Sequence, residues 1–345
     1  MKTKSIIDFV GNTPLVEAQN IFKKEGVTLL LKLEGNNPGG SVKDRAAYNM
    51  ISEALRRNNI KKGDTLVEAT SGNTGIAFSA LGALKDHEIH IFMPDWMSNE
   101  RKWMITKYGA TLHEVSKEQG GFIGSIKLAD EFAKKIDGFR PQQFTNKYNA
   151  DAHYETTGPE IIAQLRQHNK VPDALVAGVG TGGTIMGIGR RFKECFPDVK
   201  LYPLEPSNSP TLSTGCQVGK HRIQGISDEF IPGLLKLEEL DDIIMVDDGD
   251  SVIMTQKLAT ELGIGVGISS GANFLGAVIA QNKLGKDKCV VTLFSDDSKK
   301  YLSTDLLKKE PIKEGFLSPS IKLISVTGHC ICKKRIDKGA CYGEL

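Results

Sequence analysis

The sequence lacks any strong excess of charge. Its 44 lysine and arginine residues are nearly balanced by 42 aspartate and glutamate residues, and the net charge is +2. Because a surface that binds nucleic-acid phosphates is normally basic, this balance argues against nucleic-acid binding. We therefore expect no nucleic-acid partner.

Long apolar runs and paired cysteines are also missing. No stretch reaches transmembrane length, and no basic-then-apolar leader stands at the start of the chain. Three of the six cysteines, Cys195, Cys216 and Cys289, are scattered singly, which is not typical of a disulfide framework. These absences predict a cytoplasmic protein without a membrane partner.

Short β-rich runs alternate with helical ones, and this alternation predicts an α/β fold with parallel sheets covered by helices on both faces. Segment 145–153 lacks periodicity, and we interpret it as a connection between two such units. Strands are predicted at 27–33, 65–69, 89–93, 111–115, 174–178, 201–204 and 290–294. Helices are predicted at 46–55, 76–84, 100–108, 123–136, 185–192 and 251–262.

The first informative loop surrounds Lys43. Segment 37–45 (NPGGSVKDR) is a glycine-rich turn that leads into a helical stretch. A lysine at a helix N-terminus lies at the positive end of the dipole, which disfavours its charged form and lowers its pKa. Such a lysine is suited to a Schiff base with an aldehyde. The alternative is a solvated lysine on a helix surface.

A second loop, 70–75 (TSGNTG), follows a predicted strand and opens a helix. Its backbone N–H groups and hydroxyls point towards one place, which suits a carboxylate. The alternative is a helix-capping turn without a ligand.

A third loop, 178–184 (GVGTGGT), also joins a strand to a helix, and such a turn suits a phosphate. Glycines at 178, 180 and 183 also match a dinucleotide pattern, with Glu205 placed where a ribose-binding carboxylate is expected. A nicotinamide-dependent oxidoreductase is therefore the alternative on this motif. A fourth loop, 267–272 (GISSGA), suits the close approach of a flat ring, or is a tight capping turn.

Together these loops resemble the cysteine synthase family of pyridoxal-phosphate enzymes, which includes O-acetylserine sulfhydrylase and cystathionine β-synthase. The resemblance implies the tryptophan synthase β fold, fold type II. This fold has two three-layer α/β/α domains with mostly parallel sheets and pyridoxal 5'-phosphate in the cleft between them. The matching stretches follow family order: 11–16, 37–45, 70–75, 93–101, 143–146, 156–160, 180–184, 225–232 and 301–304.

The resemblance also divides the chain. Residues 1–40 and 151–310 form the larger domain, which binds the cofactor phosphate, and 41–150 form a smaller mobile domain with the carboxylate loop. Residues 311–345 form a C-terminal extension. We expect the smaller domain to close when substrate binds.

The resemblance assigns roles to residues at matching positions. Lys43 forms the internal aldimine and later moves protons, Asn73 hydrogen-bonds the ring hydroxyl, and Ser269 faces the pyridine nitrogen. The phosphate is held by Gly180, Thr181, Gly182, Gly183 and Thr184. The substrate is held by Thr70, Ser71, Gly72, Asn73, Thr74, Gln143 and Gly225.

The serine opposite the pyridine nitrogen indicates the type of reaction. A neutral hydroxyl cannot keep the nitrogen protonated, so the ring is a weaker electron sink, which favours β-elimination over transamination. The released amine of Lys43 is the general base for the Cα proton. We expect β-elimination and β-replacement on an L-serine derivative through an aminoacrylate.

Asp228 departs from the resemblance. Loop 224–232 (QGISDEFIP) often has uncharged residues at its middle positions in the family, whereas this chain has Asp228 and Glu229. Two carboxylates would repel anionic nucleophiles, and one of them could act as a general base towards water or a thiol. We therefore add Asp228 to Lys43 as a catalytic residue. The alternative is that both carboxylates point to solvent.

The expected activity is that of a cysteine synthase, which makes L-cysteine and acetate from O-acetyl-L-serine and sulfide. Within the same chemistry, the alternatives are a lyase or hydrolase that releases hydrogen sulfide from L-cysteine and makes serine, and a cystathionine β-synthase. A binding protein without turnover is a further alternative. The partners are an amino-acid substrate and a sulfur nucleophile, and the family predicts a homodimer.

The C-terminal extension lies outside the resemblance. It contains His329, Cys330, Cys332 and Cys341, whose spacing does not match a standard zinc site. We therefore expect no metal site, and we predict that the extension packs on a partner subunit.

Overall fold

The computed structural model describes residues 6–23 and 25–329. Its strands are β1 (Leu15–Phe22), β2 (Glu25–Leu33), β3 (Leu66–Ala69), β4 (Ile89–Pro94), β5 (Thr111–Val115), β6 (Ala174–Gly178), β7 (Lys200–Pro206), β8 (Ile244–Val246), β9 (Val290–Phe294) and β10 (Lys322–His329). Its α-helices are α1 (Lys43–Arg56), α2 (Asn73–Ala83), α3 (Asn99–Lys107), α4 (Gly121–Ile136), α5 (Lys147–Ala152), α6 (Gly158–Arg166), α7 (Gly183–Cys195), α8 (Thr211–Thr214), α9 (Asp248–Leu262) and α10 (Ile268–Leu284). A π-helical turn at His153–Thr157 joins α5 to α6, and short 3₁₀ helices lie at Ile6–Phe9, Glu34–Asn36, Leu237–Glu239, Ser298–Tyr301, Asp305–Leu307 and Ser318–Ser320.

The larger sheet has the strand order β10-β1-β2-β9-β6-β7-β8. The strands from β2 to β8 in this order are parallel, and β1 runs antiparallel to both β2 and β10. Successive residues of β9 face opposite sides of the sheet. Val290 belongs to the hydrophobic core that includes α9 and α10, and Val291 belongs to the one that includes α6 and α7. This burial of both faces explains why β9 is apolar apart from Thr292, whose hydroxyl donates to the carbonyl oxygen of Val176 at 2.8 Å.

The smaller sheet has the order β3-β4-β5, and its strands are parallel. Helices α1 and α2 cover one face, where Ile76 packs against Ile91. Helix α4 covers the other face through Ala129 and Ala133. The predicted α/β class with mostly parallel sheets is therefore confirmed. The domain boundaries at 40, 150 and 310 stay a prediction.

Segment 145–153, which we interpreted as a connection between two units, is partly helical. It contains α5, whose N-cap residue Asn146 accepts a hydrogen bond from the backbone N–H of Tyr148 at 3.0 Å. The helix is only 6 residues long, which is too short to show a hydrophobic period. Its position depends on packing against α1 and α7, which sequence periodicity does not report.

Strand β1 and the edge strand β10, with which it pairs, were not predicted from the sequence. Polar side chains interrupt the apolar pattern of Leu15–Phe22. Its partner strand β10 lies more than 290 residues further along the chain, and Leu15 pairs with His329. Part of the predicted extension 311–345 therefore completes the larger sheet of its own chain. Cys330, Cys332 and Cys341 lie outside the described residues.

The carboxyl ends of β3, β6 and β9 open onto one cleft. Segment 41–42 joins this edge, because Val42 donates a backbone hydrogen bond to the carbonyl oxygen of Ser295 at 2.8 Å. Ligands of open α/β sheets bind at such an edge. Over the described residues, no helix combines the length and the apolar character that a membrane crossing requires.

Candidate active site

The cleft brings together loops that are far apart in the sequence. It encloses about 800 Å³, including its open mouth. All the predicted site residues line it except Gly72 and Gly183, which are chain neighbours of residues that do. The cleft is therefore the place where the predicted roles have to be carried out.

Lys43 is the first residue of α1, and its half-buried side chain lines the cleft. Burial lowers the pKa of its amine, whereas the negative charges of Asp296 and Asp228 oppose that shift. The lowered pKa of Lys43 was predicted from the helix dipole, but removal from water is its main cause. A lysine in this setting more readily presents a neutral amine.

The loop between β3 and α2 offers neutral hydrogen-bonding groups to the cleft. The hydroxyl of Thr74 donates to the side-chain oxygen of Gln143 at 2.6 Å, and the amide nitrogen of Gln143 donates to the carbonyl oxygen of Ala69 at 2.9 Å. The hydroxyl of Thr70 accepts a hydrogen bond from the N–H of Gly72 at 3.0 Å. These bonds hold Thr70, Thr74 and Gln143 in one rigid group.

The glycine-rich loop before α7 forms a close-packed cradle. A Cβ atom on Gly180 would lie 2.4 Å from the carbonyl oxygen of Gly225, and Gly182 has a φ of +80°. A side chain at position 180 would displace the neighbouring backbone, and one at position 182 would strain its own backbone, so glycine is required at the first and favoured at the second. The N–H groups that begin α7 are those which bind a phosphate at a helix N-terminus.

Asn73 and Ser269 are two further polar residues that line the cleft. The amide nitrogen of Asn73 donates to Oδ2 of Asp296 at 2.7 Å, while its buried side-chain oxygen has no partner among the described residues. Ser269, in the first turn of α10, is buried and lines the cleft. The amine, the cradle and these polar groups together fit pyridoxal phosphate.

Asp228 also lines the cleft, whereas Glu229 does not. Burial raises the pKa of the Asp228 carboxyl to about 6; the charge of Lys43 opposes the shift and that of Glu229 adds to it. Burial also raises the pKa of Glu229. A carboxyl with a pKa near neutrality, placed in a cleft, is suited to accepting and returning a proton.

Two charged residues at the cleft were missed by the sequence analysis. Asp296 is 1 % exposed and accepts a hydrogen bond from the hydroxyl of Tyr301 at 2.6 Å. It lies two residues after β9, and the rule about carboxyl ends of strands could have identified it. Arg101, in α3, is also 1 % exposed and lines the cleft. Because Arg101 lies within a helix and not just after a strand, that rule could not have identified it.

Glu205 does not have the role that the oxidoreductase alternative gave it. It is buried, and its carboxylate accepts hydrogen bonds from the N–H groups of Leu212 and Ser213 at 2.6 and 3.2 Å. The carboxylate therefore holds the start of α8 and is not available to a ribose.

A model of the pyridoxal-phosphate-dependent enzyme family matches residues 6–296. The chain belongs to this family. A solved hydrogen sulfide-producing enzyme from Fusobacterium nucleatum is 55% identical, with a TM-score of 0.90 over 93% of this chain and 97% of that one. In a second structure of that enzyme, with a TM-score of 0.91, an Asp-to-Asn mutant is in complex with an α-aminoacrylate intermediate. A cysteine synthase from Staphylococcus aureus is 42% identical over 88% of this chain and 96% of its own length.

The comparisons confirm the predicted enzyme class and cofactor. The protein is a pyridoxal-phosphate-dependent enzyme of the cysteine synthase group, which carries out β-elimination and β-replacement. The nicotinamide alternative is wrong, and so is the alternative of a binding protein without turnover.

Proposed function

We propose that the enzyme converts L-cysteine and water into L-serine and hydrogen sulfide. The observation that carries this proposal is Asp228, an acidic side chain with a raised pKa in the cleft that also contains Lys43. The hydrogen sulfide-producing relative from Fusobacterium nucleatum supports it. So does that relative's Asp-to-Asn mutant, because a captured intermediate is the expected result of removing a base that the next step needs.

The first half of the reaction uses Lys43. Pyridoxal phosphate, when bound, withdraws electrons from the Cα atom of the amino acid. Lys43 would hold the cofactor's aldehyde, Gly180, Thr181, Gly182, Gly183 and Thr184 its phosphate, and Asn73 and Ser269 its ring. The amine of Lys43, once free, accepts the Cα proton, because its lowered pKa favours the neutral form. The Cβ–S bond then breaks, and the sulfur leaves with its electron pair.

The second half uses Asp228. Its carboxylate accepts a proton from water, whose oxygen adds to Cβ, and Lys43 returns a proton to Cα. The sulfur leaves in the first half as hydrosulfide, and Asp228 afterwards releases the proton taken from water to the solvent. Hydrosulfide and this proton together make hydrogen sulfide, so that cysteine and water balance serine and hydrogen sulfide. Neighbouring Glu229 adds negative charge, which disfavours the return of a hydrosulfide anion to the cleft.

Cysteine synthesis from O-acetyl-L-serine and sulfide is the second candidate, and the Staphylococcus aureus relative favours it. Both reactions use the same residues until the β-substituent has left, and they differ in the nucleophile that follows. We also propose a homodimer in the cytoplasm and closure of the segment 41–150 on the substrate. Light scattering and hydrogen exchange with a substrate analogue test the assembly and the closure.

The decisive experiment supplies L-cysteine to the holoenzyme in ¹⁸O-labelled water. We expect sulfide and serine in equal amounts, with one ¹⁸O atom in each serine. Pyruvate in place of serine would contradict the role of water, and faster turnover of O-acetyl-L-serine with sulfide would favour the second candidate. Borohydride trapping and peptide mapping would locate the cofactor on Lys43; a label on another lysine would refute the assignment.

A further inference from the structure

Arg101 is a buried cation at the edge of the cleft. It belongs to α3, is 1 % exposed, and lines the cleft together with Thr70 and Ser71. Its Nε and Nη1 atoms have no hydrogen-bond partner in the part of the chain that the structure describes. Burial of an unpaired charge is costly, and a buried arginine is normally paired with an anion.

Two neighbours hold the Arg101 side chain in place. Its guanidinium lies over the ring of Tyr301, at 4.5 Å from the ring centroid. On the other side, a Cβ atom at Gly72 would lie 2.1 Å from the Cδ atom of Arg101, so only a glycine lets the arginine lie against this turn. Gly72 also has a φ of +146°, which other residues rarely adopt. The guanidinium is thus fixed beside the loop 70–74.

The charges of the cleft are divided between its loops. Arg101 packs against the loop that follows β3, which has only neutral donors. Asp228 lies in a different loop, 224–232, which packs through Gly225 against Gly180. An amino acid bound with its carboxylate towards Arg101 and its β-carbon towards Asp228 would place both of these charged groups beside a suitable part of the substrate.

We propose that Arg101 binds the carboxylate of the amino-acid substrate, as the charged member of a subsite whose other members are the neutral donors of loop 70–74. The proposal deepens the proposed function but requires only that the substrate is an amino acid. Arginine suits this role because its planar fork matches a carboxylate and its charge is permanent.

The test uses glycine and methylamine, which differ by a carboxylate and carry no β-substituent to eliminate. The dissociation constant of each is measured from the absorbance of the bound cofactor, in the holoenzyme and in Arg101→Met. We expect the variant to bind glycine about 10- to 100-fold more weakly, the range of a charge-assisted hydrogen bond, and methylamine within about twofold of the wild type. Equal losses for both amines would overturn the proposal and leave Arg101 a structural role.

Two further variants complete the test. Lys107→Met removes an exposed cation from the same helix, and we expect it to change neither dissociation constant. Arg101→Lys keeps the charge without the fork, and it carries the test if the methionine variant does not fold. We expect it to lower the preference for glycine over methylamine by several-fold, and an unchanged preference would overturn the proposal. These binding results do not depend on sulfide release, so they separate this proposal from the proposed function.

Discussion

Replacement of Asp228 by asparagine separates the two halves of the proposed reaction. The side chain keeps its size and loses the ability to accept a proton. Because Lys43 carries the first half, the variant still releases sulfide from L-cysteine, in an amount equal to the enzyme present. The second half lacks its general base, and loss of such a group slows a proton transfer by about 10²- to 10⁴-fold.

The pH dependence of serine formation follows from the raised pKa of Asp228. Below its pKa of about 6 the carboxyl is protonated and cannot act as a base, whereas above that pH it is ionised. At one pH unit below the pKa, only about a tenth of the molecules carry the carboxylate. Serine formation by the wild type should therefore rise through about pH 6, and the profile of Asp228→Asn should lack this rise.

Rapid mixing with L-cysteine measures both halves, with sulfide detected directly and serine by mass spectrometry. The matched control is Glu229→Gln, which removes a neighbouring carboxylate that does not line the cleft. We expect this control to retain serine formation within a few-fold. Steady-state serine formation by Asp228→Asn at the wild-type rate, with the same pH profile, would refute the assignment of Asp228 as the base.

Three further results are expected. Asp228→Asn should raise the free energy of unfolding at pH 8 by about 1–3 kcal/mol in urea titrations, because a raised pKa makes the ionised carboxylate destabilising above about pH 6. The gain in stability should disappear towards pH 4, where the carboxyl is protonated in the folded protein. A gain that persists at pH 4 would contradict this cause. Glu34→Gln should lower the free energy of unfolding by about 3–5 kcal/mol, since it breaks a buried ion pair with Arg45 at 2.7 Å. The exposed pair of Glu53 with Arg56 is the control, and its loss through Glu53→Gln should have a much smaller effect in the same assay. Gly180→Ala should lower the affinity for pyridoxal phosphate in absorbance titrations, because the alanine Cβ atom would lie 2.4 Å from the carbonyl oxygen of Gly225. An unchanged affinity would exclude this loop as the phosphate cradle.

The buried parallel strands were the most predictable part of the fold. Segments such as 174–178 and 290–294 are almost entirely apolar because helices cover both faces of the sheet, and this pattern is visible in the sequence. Short or edge elements carry no such pattern. Helix α5 depends on packing, and β1 depends on pairing with β10 from the far end of the described chain.

The loops of the candidate site were predictable for a different reason. Glycines and small hydroxyls at the ends of strands form runs that stand out, as in loops 70–75 and 178–184. Asp296 and Arg101 belong to no such run. Asp296 meets Asn73 across 223 residues of sequence, and Arg101 meets Tyr301 across a similar separation. Their importance arises from contacts between distant segments, which local pattern does not report.

The two carboxylates whose charges act on Lys43 have different environments, and we expect this difference to decide which of them moves protons. Asp296 accepts hydrogen bonds from Asn73 and from the hydroxyl of Tyr301, at 2.7 and 2.6 Å. Both bonds are accepted by Oδ2, and this oxygen therefore holds Asn73 in place. Asp228 accepts no hydrogen bond from the described residues that would lower its raised pKa. Its pKa of about 6 suits a group that accepts and returns protons near neutral pH. Asp296 should thus act as a positioning residue, while proton transfer to and from water falls to Asp228.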